Sequence, residues 1–262
     1  MSTMGKIADE RHRYILEQLQ QQGSCRVAEL AQALNVSEMT VHRDLNHLAR
    51  QQLLRKVHGG AVRRNYIEMN YRDRAVQNQE AKALVARLAR SLVRPGNNLY
   101  LAPGSTAYEL ALLLDVPDLQ VYTNSLPTAT ALARADHPNQ VVMLLGGRLV
   151  GFVEALVGEA TEAALADLRL NYAFIAVTGL SLEGGLTIYT EEEARVIRTV
   201  MRAARKTVLL TDASKYDLIV GPSVGSLADV HTVVTDSIPA AYVAYCQAND
   251  VEVLLASDPA RA

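Results

Sequence analysis

Cysteine is scarce in this chain: there are two in 262 residues, Cys25 and Cys246, far apart and in no metal-ligand spacing. That excludes a disulfide-stapled scaffold and fits a reducing cytoplasm. Long apolar runs are missing as well, so nothing reaches the roughly 20 residues that a membrane-spanning helix needs. The N-terminus lacks the apolar segment of a signal peptide, and the expected location is the cytoplasm, with no membrane partner. Neither an internal repeat nor a low-complexity tract occurs. His12, His42, His47 and His58 crowd one end of the chain, but no ligand pattern accompanies them, so neither a metal nor a cofactor is expected.

What is present is a globular composition, 49% hydrophobic and 21% charged, long enough for a small domain and a medium one. The net charge of −2 hides an asymmetry. Residues 1–64 carry ten Lys and Arg against six Asp and Glu, whereas the remainder carries 16 against 22. A basic head on an acidic body suggests that the head alone meets a polyanion.

The head is organised around VAELAQALNVSEMTVHRDLNHLAR, Val27 to Arg50. Val27, Leu30, Ala31 and Leu34 form the stripe of one short amphipathic helix. Asn35-Val36-Ser37 breaks the period, and the Ser37 hydroxyl is suited to cap the helix that follows. There Val41, Leu45 and Leu48 face inward, while Met39, His42, Arg43, Asn46 and Arg50 point the other way. Helix, tight turn and polar-faced helix make a helix-turn-helix, whose second helix can enter a major groove with Ser37 and Thr40 at its leading end. An ordinary helical hairpin with a solvated face satisfies the same pattern. Before it, Lys6 to Gln22 reads as a helix with Ile15, Leu16 and Leu19 inward. After it, LLRKVHGGAVRR reads as a β-hairpin about Gly59-Gly60, a wing whose Arg55, Lys56 and His58 can reach the sugar–phosphate backbone.

Residues 7–64 resemble the N-terminal domain of the DeoR family of bacterial transcriptional regulators, on VAELAQALNVSEMTVHRDLNHL followed by LLRKVHGGAV. The resemblance implies binding of double-stranded operator DNA. The family commonly has two consecutive arginines where this chain has His42-Arg43, which leaves the operator sequence open. Asp44 reads as a structural partner for a nearby basic group, since an acid aimed at phosphate repels it.

Asn65 to Gln79 is polar and aperiodic and reads as a linker, partly ordered against the second domain. Residues 80–257 then alternate. A helix at Ala81–Leu92 precedes expected strands at 98–102, 120–123, 141–145, 172–177, 207–211, 232–234 and 251–255. Helices are expected between them at 106–114, 126–134, 160–167, 191–204 and 240–249. The fold class is therefore α/β: a winged helix-turn-helix followed by a mostly parallel sheet covered on both faces. Ligands in such sheets bind beyond the carboxyl ends of the strands. Polar loops occur there. Gly104, Ser105 and Thr106 open a helix and suit an anion, or simply cap the helix. Thr123, Asn124 and Ser125 suit sugar hydroxyls, or an Asx-type turn. Gly146-Gly147 admits a ligand or forms a turn. Gly179 follows a strand, Glu193 stands in an acidic helix start, and Asp212 and Lys215 offer an acceptor and a phosphate partner, or a surface salt bridge.

GSTAYEL, VYTNSLPTA, LLGG, AFIAVTG, GGLT, EEA and LTDASKY occur in the order of the DeoR family's C-terminal sensor domain, which resembles the ribose phosphate isomerase and CoA-transferase group of folds. This implies a sensor for a phosphorylated sugar or related metabolite. Two positions depart from the family: Ala102-Pro103 replaces an acidic residue, and Val177-Thr178-Gly179 replaces a more polar stretch.

The expected function is a non-enzymatic repressor of carbohydrate-metabolism genes, controlled by such an effector and at least a homodimer, because bacterial operators are usually symmetric. The alternative is a sugar-phosphate isomerase with an appended head, using Asp212, Glu193 and Lys215 as acid, base and anion anchor. A base-reading role for Arg43 predicts that Arg43→Ala weakens specific DNA binding by roughly 1–3 kcal/mol. Unchanged affinity in a titration against the operator would remove the residue from the interface.

Overall fold

Helix α1 (Ala8–Gln22) buries Ile15 and Leu19 against the other elements of the head. The computed structural model describes residues 8–22, 24–51, 53–63, 71–135, 137 and 139–256. Lys6 and the first residues of the expected helix lie outside these. Strand β1 (Ser24–Arg26) leads into α2 (Val27–Leu34), which Asn35 stops by adopting a left-handed conformation, φ +53°. Ser37 then caps α3 (Glu38–Arg50), its hydroxyl accepting the Thr40 N–H at 3.2 Å. Val41, Leu45 and Leu48 of α3 are buried with Leu30 and Leu34 of α2, so the two stripes read from the sequence meet as a helix-turn-helix. Strands β2 (Leu54–Val57) and β3 (Gly60–Arg63) form the wing. The wing is wider than a hairpin, because β1 pairs antiparallel with β3, Cys25 opposite Ala61.

One buried charge ties this head together. Asp44, on the inner side of α3, accepts from Arg11 Nε at 2.7 Å and Nη2 at 3.0 Å, and its Oδ1 lies 3.1 Å from His12 Nε2. Burial opposes ionisation of Asp44, but the hydrogen bonds and charges of Arg11, and then of His12, outweigh it and hold the carboxyl below its usual range. Arg11 and Asp44 are thus structural, and Arg11 is engaged by α3.

The segment 65–79 is not a plain linker. Residues 64–70 lie outside the described residues, but Tyr71–Val76 is a helix, α4, and α5 (Gln79–Arg90) begins two residues before the expected start. Six residues are too few to give a periodic signal, which is why α4 was not legible. Then follow β4 (Asn98–Leu101), α6 (Ser105–Leu112), β5 (Gln120–Thr123), α7 (Leu126–Ala135) and β6 (Val141–Leu144). A hairpin comes next, β7 (Arg148–Val150) with β8 (Ala155–Val157), and then α8 (Glu159–Ala166). The chain continues through β9 (Leu170–Ala176), β10 (Gly179–Ser181), β11 (Gly185–Thr187), α9 (Glu191–Ala203) and β12 (Ala204–Leu210). It ends its described part with β13 (Ser223–Gly225), β14 (Thr232–Thr235), α10 (Ala240–Ala248) and β15 (Glu252–Leu255).

The main sheet is parallel throughout, in the order β15-β14-β12-β9-β4-β5-β6. Its strands are short apolar runs because both faces are covered. On one face Val85 of α5, Leu110 of α6 and Leu132 of α7 pack on Leu99, Leu101 and Phe174. On the other, Leu165 of α8, Ile197 and Val200 of α9 and Cys246 of α10 pack on Tyr100, Ile175 and Leu209. β10, β11 and β13 form a small antiparallel sheet beside it. Among the described residues, no helix is long and apolar enough to cross a membrane.

Replacing Asp44 by Ala removes the carboxylate to which Arg11 donates twice and is expected to destabilise the protein by about 1–3 kcal/mol at pH 7. A carboxyl depressed on folding stabilises above its unfolded pKa, near 4, and loses that contribution as pH falls through the folded value. Urea unfolding at pH 7 and at pH 3 checks both parts: the deficit of the variant should shrink at the lower pH.

Candidate functional site

The outer face of α3 presents a continuous polar surface. Met39, with 71% of its surface exposed, stands at its leading end with Arg43, Asn46 and Arg50 exposed along it, while Thr40 and His42 are half-buried. Ser37 is committed to capping and also lies 2.9 Å from the Thr40 hydroxyl. Lys56 of the wing reaches back to α3, donating to Asn46 Oδ1 at 2.8 Å, which fixes the wing against the helix. Arg43, Asn46 and Arg50 recur at 3- and 4-residue spacing, so they form one ridge suited to hydrogen bonding with base edges. Arg55 and His58 are placed differently: Arg55 donates to the Val220 carbonyl at 3.3 Å, and His58 Nε2 lies 3.0 Å from a Glu183 carboxylate oxygen, both in the body.

The second site lies where the strand order reverses. β4 proceeds outward to β5 and β6 on one side, and β9 pairs with its other edge. Helices α6 and α7 lie on one face and α8 and α9 on the other, so the chain departs from β4 and β9 in opposite directions and leaves a crevice. The Ala102 N–H still donates to the Phe174 carbonyl at 2.9 Å, after which Pro103 offers no donor and the strands part. Gly104 then turns with φ +142°, a conformation that L side chains rarely adopt, and heads α6. The N-cap of α6 is thus a glycine, and among the described residues no side-chain cap closes the start of the helix. The cavity there, about 80 Å³, is lined by Gly104, Ser105, Thr106, Thr178, Tyr189, Glu193 and Lys215.

Its remaining wall comes from the segment read as a linker: Arg74, Gln77 and Asn78, with Lys82 of α5. Lys82 is buried, donating to the carbonyls of Arg74 and Gln77, and so pins the junction of α4 and α5. Burial, and then the neighbouring charge of Lys215, lower its amine to about 8. The sequence did carry a signal for it. Lys82, Val85, Ala86 and Ala89 share one stripe of α5, and a lysine on a buried stripe requires polar partners.

Both acids near the crevice are bound by the chain itself. Glu193 is half of a capping box, accepting the Thr190 N–H at 3.1 Å and hydroxyl at 2.8 Å, and burial raises its carboxyl despite those bonds. Asp212 is buried behind Lys215 and accepts from Asn78 Nδ2 at 3.2 Å and from the Ser214 N–H at 3.0 Å. Burial opposes its charge, but Lys215 and then Ser214 outweigh this and keep its carboxyl low. Arg74 (its guanidinium 5.8 Å from the Tyr189 ring centre), Lys82 and Lys215 thus give the crevice a cationic wall beside an uncapped helix N-terminus. That is the chemistry of an anion site.

Other expected ligand residues are not in it. Thr123, Asn124 and Ser125 are buried and used structurally. The Thr123 hydroxyl donates to the Leu101 carbonyl at 2.7 Å, and Asn124 accepts from the Tyr100 hydroxyl at 2.6 Å while donating to the Leu156 carbonyl at 2.6 Å. They stitch β4, β5 and the β7–β8 hairpin together, a role that an isolated strand-end motif does not disclose. Gly146 likewise serves α8, its carbonyl accepting the Thr161 hydroxyl at 2.6 Å, and Gly147 packs beside Thr161 and Val157. Gly179 opens β10, opposite Thr187, and it is Thr178 that lines the cavity.

Comparison with known proteins finds two family models. Residues 11–66 match the DeoR-like helix-turn-helix domain, and residues 77–237 the DeoR C terminal sensor domain. The HTH-type transcriptional repressor CsqR of Escherichia coli is 30% identical over 99% of this chain and 100% of its own length. The glycerol-3-phosphate regulon repressor of the same species is 31% identical over 88% of this chain and 91% of its own. The lactose phosphotransferase system repressor of Staphylococcus epidermidis is 33% identical over 85% and 90%.

Proposed function

This chain belongs to the DeoR family of transcriptional regulators, and we propose that its body senses a phosphorylated sugar or polyol and thereby sets how tightly the head represses its operator. The cationic crevice at the β4/β9 switch carries this reading. The phosphate sits at the open N-terminus of α6, against Gly104, Ser105 and Thr106, with Lys215 and Lys82 balancing its charge. Asn78 and Thr178 offer donors and acceptors for hydroxyls. Ala102-Pro103 contributes no carboxylate, so hydroxyl recognition falls to those neighbours. The names of the relatives, a glycerol-3-phosphate regulon repressor and a lactose phosphotransferase system repressor, support the same class of signal.

A sensing role is favoured over isomerisation because the similar proteins that cover most of this chain are named as transcriptional repressors. On DNA, the ridge of Arg43, Asn46 and Arg50 reads base edges. The protein acts in the cytoplasm, as a homodimer or higher oligomer whose two heads span half-sites about one turn or a multiple apart. Effector binding changes operator affinity only so far as it favours one conformer over the other.

Binding to duplex DNA from the gene's own upstream region, with phosphorylated sugars and their unphosphorylated counterparts added, tests the proposal. Selective binding altered by a phosphorylated member alone is expected; equal responses to both forms would overturn the anion reading. Lys215→Ala should leave DNA affinity intact and weaken the effector at least tenfold, on the order of the 1.5–3 kcal/mol of a hydrogen bond to a charged group. Because the Lys82 amine lies at about 8 and a bound anion raises it, effector affinity should fall between pH 7 and pH 9, with proton uptake at pH 8. Calorimetry in two buffers of different ionisation enthalpy measures that uptake, and a pH-independent affinity would take Lys82 out of the site.

A further inference from the structure

The wing of the head rests on the body. His58 bridges to Ile219, and Gly59 lies so near the Asp217 carbonyl that a Cβ on it would come within 2.4 Å. Ser24 Oγ donates to the Ser214 carbonyl at 3.3 Å, and Arg55 donates to the Val220 carbonyl. Two polar contacts flank it: the Arg26–Asp217 ion pair at 3.6 Å, and His58 Nε2, which lies 3.0 Å from a Glu183 carboxylate oxygen. We propose that this contact is an autoinhibitory dock, in which the body holds the tip and the cations of the wing and must release them before the wing can sit on DNA.

Three observations carry the proposal. The turn of the wing, the part that would approach the sugar–phosphate backbone, is covered by the main chain of Asp217. Arg55 and His58, the side chains that would meet phosphates, are already engaged. Glu183 and Asp217 place two carboxylates beside that tip, where an arriving phosphate is repelled. The dock is also reversible in energetic terms, since an ion pair such as Arg26–Asp217, with its carboxylate exposed, is individually weak.

The docking segment is continuous with the crevice. Ser214 and Lys215 lie in one short turn, Ala213–Lys215, capped by Asp212, which is bonded to Asn78, and the Ser214 carbonyl holds Ser24. Two residues on, Asp217 is anchored to Tyr242, whose hydroxyl donates to its Oδ1 at 2.7 Å. An anion that draws on Lys215 therefore acts on the same turn that holds the wing. This link rests on the crevice being an anion site; the dock itself does not.

The test compares the full-length protein with Glu183→Gln and with Glu183→Gln/Asp217→Asn. These variants remove charge from the body side alone and keep an acceptor for Tyr242. Glu183 is exposed, so the single variant remains informative if the double one fails to fold. The probe is a mixed-sequence 30-base-pair duplex titrated across a salt series. The variants should bind it roughly three- to tenfold tighter, with a log K against log salt slope steeper by about one to two, as one or two added phosphate contacts require. Equal or weaker binding with an unchanged slope overturns the dock. In a separate arm, calorimetry measures binding of glycerol 3-phosphate and of inorganic phosphate. Absence of binding overturns the anion site and the coupling, while the DNA titration still decides the dock. Where the ligand binds, its effect on DNA affinity should shrink in the double variant, and an undiminished effect overturns the coupling.

Discussion

The parallel pairing of β4 with β9 is the constraint on which the body depends. From β4 the chain builds outward through β5 and β6 with its helices on one face, and then returns to the other edge of β4 as β9 and builds outward again with its helices on the opposite face. Two neighbouring strands that send their connections to opposite faces cannot share a covering helix at their carboxyl ends. The crevice between Pro103-Gly104 and Val177-Thr178 follows from this, as do the polar groups collected there. No one of those groups makes the site, because each has an ordinary structural use elsewhere in the same fold.

Charge in the crevice is asymmetric in a way that residue counts conceal. The body is net acidic, yet Glu193 and Asp212 each accept hydrogen bonds from the chain itself, and Lys215 holds the Asp212 carboxyl low. Arg74, Lys82 and Lys215 stand in the wall of the same cavity. Lys82 is the costliest of these, since a buried ammonium requires partners, and the carbonyls of Arg74 and Gln77 supply them. The junction of α4 and α5 is thus shaped by the lysine that it brings to the cavity.

The head uses a similar device in a different place. Asp44 turns an inward-facing acid of α3 into a tie between α3 and α1, which keeps that carboxylate away from the ridge of Arg43, Asn46 and Arg50. The wing is held at both of its ends, by Lys56 on Asn46 and by its tip on the body. Residues 212–221 consequently face two ways: their first half borders the crevice and their second half supports the wing.

The sequence alone determined the elements and their broad arrangement. The stripes Val27–Leu34 and Val41–Leu48 already specify two amphipathic helices, the Ser37 cap separates them, and short apolar runs alternating with helices specify a covered parallel sheet. These are local properties, carried by periodicities of 2 and 3.6 and by capping chemistry. Gly104, Ser105, Thr106, Glu193 and Lys215 were legible as candidates because they follow strands and open helices. Only the tertiary structure decided among the polar strand ends, since Thr123-Asn124-Ser125 and Gly146-Gly147 carry the same local signature but spend it on neighbouring backbone. It also decided that Arg74, Gln77, Asn78 and Lys82 complete the crevice and that the wing's tip lies on the body. Those facts depend on which surfaces meet across more than a hundred residues, and burial and hydrogen-bond partnership at that range have no local pattern to read.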